Sequence, residues 1–359
     1  MFAAKSARER GRLTPGSTRV RSSGVESGSV APTGQAETIS LTSVHAWVRR
    51  TLATRRAKLI VNGVSVTVAL VVAALAALHF ERSGWPLARA DVLGMTIAAL
   101  LFLVAYGFKA YGWHRLFAPD QRPDPLALAA AGGAASVTGI ALPGRFDEVV
   151  RIAVVRRFPG PKVGIGGVCL SLLLLGLIDS AALTPLASVA AASASSTAFR
   201  VGLAVVAGAG IGAAAIVLSL RRLALLGRLV RFRSARWVHV HCACPREASK
   251  AWALVSVSWL VRGAALLMLM DAVGMGASIP LALAYLCASA ASAALPVAPA
   301  GAATQAGAGA AVLIASGIPT SEAVAFAIAA QTLLILTGAG VVAAAGLWKA
   351  GGRLVPSRA

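Results

Sequence analysis

The chain has 359 residues, 57% hydrophobic and only 13% charged, with a mean hydropathy of +0.77, against roughly 25% charged residues in soluble domains. A soluble globular domain is therefore excluded. A nucleic-acid module is excluded as well, because the net charge of +21 is spread between apolar runs instead of collecting on one polar unit.

A bilayer core about 30 Å thick requires roughly 20 apolar helical residues per crossing. Several windows reach that length without a charge, and none alternates with the period of two that outer-membrane strands show. The predicted class is all-α: a polytopic helical membrane protein with about six full spans plus two re-entrant or broken hairpins, arranged as two inverted halves.

Residues 1–57 are polar, low in complexity and rich in Arg and Ser, with eleven basic residues between Lys5 and Lys58. They lack the apolar core of a signal peptide. In composition they resemble an organelle transit peptide, but the reading adopted is a disordered basic cytoplasmic tail. The transmembrane domain is expected over 58–348, in halves of 59–188 and 200–348, followed by a short basic tail at 349–359.

The first span is predicted at 59–80. A second runs from about Val92 to Phe108 and ends in KAYGWHRLF, where Tyr111 and Trp113 suit an interfacial aromatic belt. After the Pro-broken APDQRPDP, a shorter apolar run at 126–142 contains Gly132, Gly133 and Gly139 and stops at Pro143. LPGRFDEVVR, residues 142–151, then sets Arg145, Asp147, Glu148 and Arg151 at the mouth of a hydrophobic segment. A long span at about 163–187 carries a lone Asp179, and the uncharged 188–199 reads as a loop on the non-cytoplasmic side.

A span at 201–220 precedes a basic stretch, 221–250, whose apolar positions between arginines suggest an amphipathic helix at the headgroups. Another span is predicted at 251 to about 274, with Arg262 and Asp271 inside it in mainly structural roles. The stretch 278–317 is broken by LPVAPAGAATQAGAG, and a last span covers about 321–347.

The side count constrains this layout. If the amino terminus and 221–250 share the cytoplasmic side, as their basic residues require, then 126–157 must enter and return as a hairpin. The same reasoning makes 278–317 enter and return from the opposite side. Broken segments at corresponding places of two inverted halves are the sequence pointer to a transport site near the midplane.

A charge stranded at the centre of a membrane helix costs roughly 2.5–3.5 kcal/mol. At 100° per residue, Arg145, Asp147, Glu148 and Arg151 share one side of a helix, with Phe146, Val149, Val150, Ala153 and Val154 on the other. Arg145 with Glu148 and Asp147 with Arg151 have i,i+3 and i,i+4 spacing and can neutralise one another. A helix start beside Arg145 also suits a phosphate-sized anion. The competing reading is an interfacial helix with a solvated charged face. Asp179 would be satisfied by Arg145, Arg151 or Arg262, either as a structural ion pair or in substrate or proton passage.

TIAALLFLVAYGFKAYGWHRLF, ALPGRFDEVVRIAVVRR and the span ending LLLGLIDSAAL together resemble the membrane region of the lysylphosphatidylglycerol synthase/flippase family, over about 59–348. The Pro-Gly-Arg turn, followed by Gly-Glu and an Arg three residues later, matches Pro143, Gly144, Arg145, Glu148 and Arg151, with Asp147 in place of the usual Gly. Trp113 and Asp179 match further positions. A second signature is degraded in PAGAATQAG, 299–307, where Gln305 and Ala306 stand in place of Arg and Glu.

The resemblance implies movement of an anionic phospholipid or lipid-linked sugar between leaflets of the plasma membrane, without a synthase domain. It places the substrate among Arg145, Asp147, Glu148, Arg151, Asp179 and Gln305; the basic segments and the side count imply that both termini are cytoplasmic. The expected partners are a phospholipid or polyprenyl-phosphate-linked substrate, a homo-oligomeric copy or a separately encoded glycosyltransferase, and no nucleic acid. The alternative is a membrane subunit of a polyprenyl-phosphate glycosyltransferase or lipid-modifying synthase.

No catalytic constellation or cofactor is expected. HVHCAC, 239–244, holds His239, His241, Cys242 and Cys244 too tightly for a usual four-ligand zinc site, so no metal is expected. Cys169 and Cys287, inside apolar runs, read as packing residues.

Overall fold

The structure is a computed structural model that describes residues 90–139, 146–158, 163–194, 196–223, 233–293 and 301–354. The amino-terminal tail, the span expected at 59–80 and Pro143, Gly144 and Arg145 lie outside the described residues. Among the described residues ten α-helices follow one another: α1 Val92–His114, α2 Pro125–Thr138, α3 Phe146–Arg157, α4 Ile165–Ser193, α5 Thr197–Leu223, α6 Arg233–His241, α7 Pro245–Ala272, α8 Ile279–Ala293, α9 Gly301–Ala315 and α10 Thr320–Leu354. Five of them, α1, α4, α5, α7 and α10, are long and apolar enough to cross a membrane, while α2, α8 and α9 are shorter apolar helices. The protein is a polytopic helical membrane protein.

Local chemistry accounts for the helix ends. The Asp91 carboxylate accepts from the Leu93 and Gly94 amides at 3.1 and 2.8 Å, satisfying two donors at the start of α1. Asp124 does the same for α2, accepting from the Leu126 amide at 2.7 Å, with Pro125 in the first turn. Between α9 and α10, Gly317 adopts φ 92 while the Ile318 amide reaches back to the Leu313 carbonyl, a turn that a side chain at Gly317 would strain.

Several boundaries differ from the sequence expectation. α1 continues past Phe108 to His114, because Lys109 finds a partner inside the protein and need not end the span. α4 extends through Ser193 and α5 begins at Thr197, so most of the loop expected at 188–199 is helical. The serines in it are no barrier to helix, since Ser188 and Ser193 donate to the carbonyls four residues earlier.

The single amphipathic helix expected over 221–250 is not formed either. α5 runs on to Leu223, α6 is a nine-residue helix, and α7 already begins at Pro245. In the second hairpin, GAATQAGAG is helical from Gly301.

α1 and α7 run antiparallel and touch along their length. The Asp91 amide donates to the Ala272 carbonyl at one end, and Ser258 donates to the Ala105 carbonyl in the middle. Near the other end Gly112 faces Val255 and the Ala251 carbonyl, an approach too close for a Cβ. There Glu247 draws together Arg122 at 2.8 Å, Lys250 at 2.9 Å and Arg115 at 3.3 Å.

α2 packs on α10, where Gly133 meets the backbone of Gly338, and on α1. α8 packs on α4, and each hairpin pairs with itself, α2 with α3 and α8 with α9. Small residues at these crossings let helices approach where no aqueous hydrophobic force operates.

Two side-chain expectations are corrected. Trp113 does not belong to an interfacial belt: it is 2% exposed and donates from Nε1 to Ser171 on α4 at 3.0 Å. Tyr111, two residues away on the opposite side of the helix, is 55% exposed. Cys287 is fully buried, but Cys169 is exposed and so does not serve internal packing.

Candidate functional site

α3 carries the charged motif, and its orientation decides between a solvated and an inward-facing charge stripe. Val155 lies on the same side of the helix as Glu148 and Arg151 and is buried, whereas Val149 on the opposite side is 57% exposed. The charged side therefore faces the protein. Asp147 and Arg151 form the i,i+4 ion pair at 3.4 Å, and Arg151 Nε is buried without a hydrogen-bond partner. Glu148 is half-buried on the same side and is itself engaged in an interaction.

Asp179 sits at the middle of α4, fourteen residues from either end, or about 21 Å along the axis at 1.5 Å per residue. Its described ion-pair and hydrogen-bond partners are neither of the two arginines expected there, Arg151 and Arg262, and Arg145 lies outside the described residues. One carboxylate oxygen pairs with Lys109 Nζ of α1 at 2.8 Å, and the other accepts from Trp259 Nε1 of α7 at 3.0 Å. Two donors from two other helices thus satisfy a charge that would be hard to tolerate alone in a membrane span.

Lys109 also lies over the Trp259 ring at 5.4 Å. On the same ring rests the Arg262 guanidinium, 5.1 Å from its centroid and 5.7 Å from that of Tyr106. Aromatic faces hold this cation without neutralising it, and Arg262 Nε is buried with no hydrogen-bond partner. Lys109 lies within electrostatic reach of both Arg262 and Arg151. Tyr106 is fixed from behind: its hydroxyl shares a 2.6 Å hydrogen bond with Ser136 of α2 and approaches the Leu334 carbonyl of α10.

The resulting cluster joins Lys109 and Tyr106 from α1, Asp147 and Arg151 from α3, Asp179 from α4, and Trp259 and Arg262 from α7. Of the residues expected at the site, Asp147, Arg151 and Asp179 contribute to it and Arg145 lies outside the described residues. Gln305 is on α9, whose packing partners are α8 and α10. Its backbone carbonyl accepts from Ser289 at 2.8 Å, and no described contact brings its side chain to the cluster.

The sequence alone does not single out Lys109, Tyr106 or Trp259, and it assigns Arg262 a mainly structural role, with pairing to Asp179 as one option. The available signal was a mid-span Asp that requires a cation, with Lys109 lying before the last turn of a neighbouring apolar helix. Chemically the cluster can hold an anion within the membrane. Among the described residues no group of three or more His, Cys, Asp or Glu side chains is placed to hold a metal.

Residues 59–341 match the family model described as lysylphosphatidylglycerol synthase TM region. No curated protein and no solved structure matches the chain.

Proposed function

Since the chain belongs to the lysylphosphatidylglycerol synthase TM region family, we propose that it moves an anionic phospholipid or a lipid-linked sugar between membrane leaflets, with no covalent step. The observation that carries this reading is the cluster of charged side chains from four helices, centred on the paired Asp179 within the span region. An intramembrane ionisable cluster is retained against its insertion cost mainly where a polar substrate or ion must pass.

The packing pattern supports an arrangement in two inverted halves. Exchanging α1 with α7, α2 with α8, α3 with α9 and α4 with α10 carries each principal packed pair among these helices onto another: α2 on α10 onto α8 on α4, and α1 on α10 onto α7 on α4. α1 and α7 exchange places across their own contact. The charged residues come from α1, α3 and α4 on one side and α7 on the other, so the site falls between the halves, as in transporters built from inverted repeats. The host membrane is the plasma membrane, with both termini cytoplasmic.

Reconstitution into liposomes tests the reading. Labelled anionic phospholipid and a polyprenyl-phosphate sugar should exchange leaflets faster with protein than without, and Arg151→Gln should reduce the rate at least tenfold. Exchange at the protein-free rate, or wild-type exchange by the Arg151 variant, defeats the proposal. Formation of product from a sugar donor would point to an enzyme instead.

A further inference from the structure

Resting on the transport reading, we propose that transport is coupled to proton movement, with Lys109 releasing and regaining a proton as Arg262 replaces it at the Asp179 carboxylate. α1 carries Lys109 and no other Lys, Arg, Asp or Glu, and α4 carries Asp179 alone of these types. Their 2.8 Å contact is therefore the ion pair of these two spans. A pair that only held two helices together would be served as well by arginine, which stays protonated, whereas a lysine can give its proton up. Both side chains keep about one-fifth of their surface accessible, where a proton can be taken up or released.

The replacement cation is already in place. The Trp259 indole of α7 donates from Nε1 to Asp179 at 3.0 Å, and Lys109 and Arg262 both rest against its ring, 5.4 and 5.1 Å from the centroid. Arg262 thus stands one indole away from the carboxylate, and its buried Nε has no hydrogen-bond partner. A buried donor without an acceptor is costly, and a carboxylate is the acceptor that a guanidinium pairs with best. When Arg262 takes Asp179, the carboxylate stays paired and Lys109 loses its counter-ion. An unpaired buried charge is relieved by neutralisation, so Nζ passes one proton to water and becomes the neutral amine; the reverse step takes one proton back.

The groups around Lys109 are few. Arg262 faces it from α7 and Arg151 from α3, the latter paired with Asp147 at 3.4 Å. Glu148 lies on the same side of α3 and has an interaction of its own. α2 contains no titratable residue, and those of α10, Glu322, Lys349 and Arg353, lie near its two ends, as do Arg246, Glu247, Lys250 and Asp271 on α7. Coupling follows from where the three exchanging residues belong. Lys109 and Asp179 lie in the first half and Arg262 in the second, so the protonated state ties α4 to α1 within one half. The deprotonated state ties α4 to α7 across the two, which links the proton to the relative position of the halves.

The test uses the full-length protein in phosphatidylcholine liposomes that contain either labelled phosphatidylglycerol or a labelled polyprenyl-phosphate sugar. The membrane potential is clamped, and protein-free liposomes under the same gradient set the baseline. An imposed pH gradient should drive at least one label toward one leaflet, at least threefold beyond that baseline, and inverting the gradient should reverse the bias. Lys109→Arg keeps an ion pair but removes the exchangeable proton; it should unfold at the wild-type temperature and lose the bias. Arg262→Gln leaves the Lys109 pair without a replacement cation and should lose the bias as well.

Leaflet exchange that distributes both labels evenly whatever the gradient overturns the coupling and leaves the transport reading standing. A bias kept by either variant also overturns it. If neither label exchanges under any gradient, the transport reading fails and the coupling with it.

Discussion

Asp179 and Lys109 are each about one-fifth exposed at the side chain and lie 2.8 Å apart on neighbouring helices. Removing one member of a buried pair strands the other, at a cost of roughly 3–5 kcal/mol. Asp179→Asn is expected near the lower end of that range, because Trp259 can still donate to the amide oxygen. Replacing both residues, as Lys109→Met with Asp179→Leu, should recover most of the loss while abolishing transport. Thermal unfolding of the detergent-purified proteins checks this, and simply additive losses would show that the two charges do not act as a pair. The sequence made Asp179 conspicuous but not its partner, since spacing along one chain carries no information about which residues of α1, α4 and α7 share a level.

At the scale of elements, the hairpin α2–α3 is held against the long spans by close backbone contacts. A Cβ on Gly133 would run into the Gly338 carbonyl of α10, whereas Gly107 of α1 has nothing within 4 Å of the same position. Gly133→Ala should therefore destabilise the protein by roughly 1–3 kcal/mol through overpacking. Gly107→Ala should be neutral or stabilising by up to about 1 kcal/mol, because it lowers the entropy lost in forming a helix. A chemical denaturation series on both variants measures the difference; equal effects would mean that α2 and α10 do not approach at Gly133. The apolar runs and their Pro and Gly breaks made these helices legible in the sequence. The extension of α1 to His114 and of α4 to Ser193 was not, because Lys109 and the serines read as terminators until their partners are known.

For the whole molecule, the proposed orientation, with both termini cytoplasmic, puts the 115–124 connection on the cytoplasmic side and Ser196 on the opposite side. With the four native cysteines replaced, a membrane-impermeant thiol reagent applied to intact cells should label Ser196→Cys and spare Asp120→Cys; the reverse pattern overturns the orientation. The sequence by itself determined the membrane class, the places of the five long spans and the shorter apolar helices among the described residues, and the family, because apolar length and local turn chemistry are properties of consecutive residues. Only the tertiary structure decided that the charged side of α3 faces inward, that Trp113 bonds Ser171 in the interior, and that Lys109, Trp259 and Arg262 surround Asp179. Those outcomes depend on which faces of distant helices meet, and the buried donors and charges that must be satisfied there belong to no single stretch of chain.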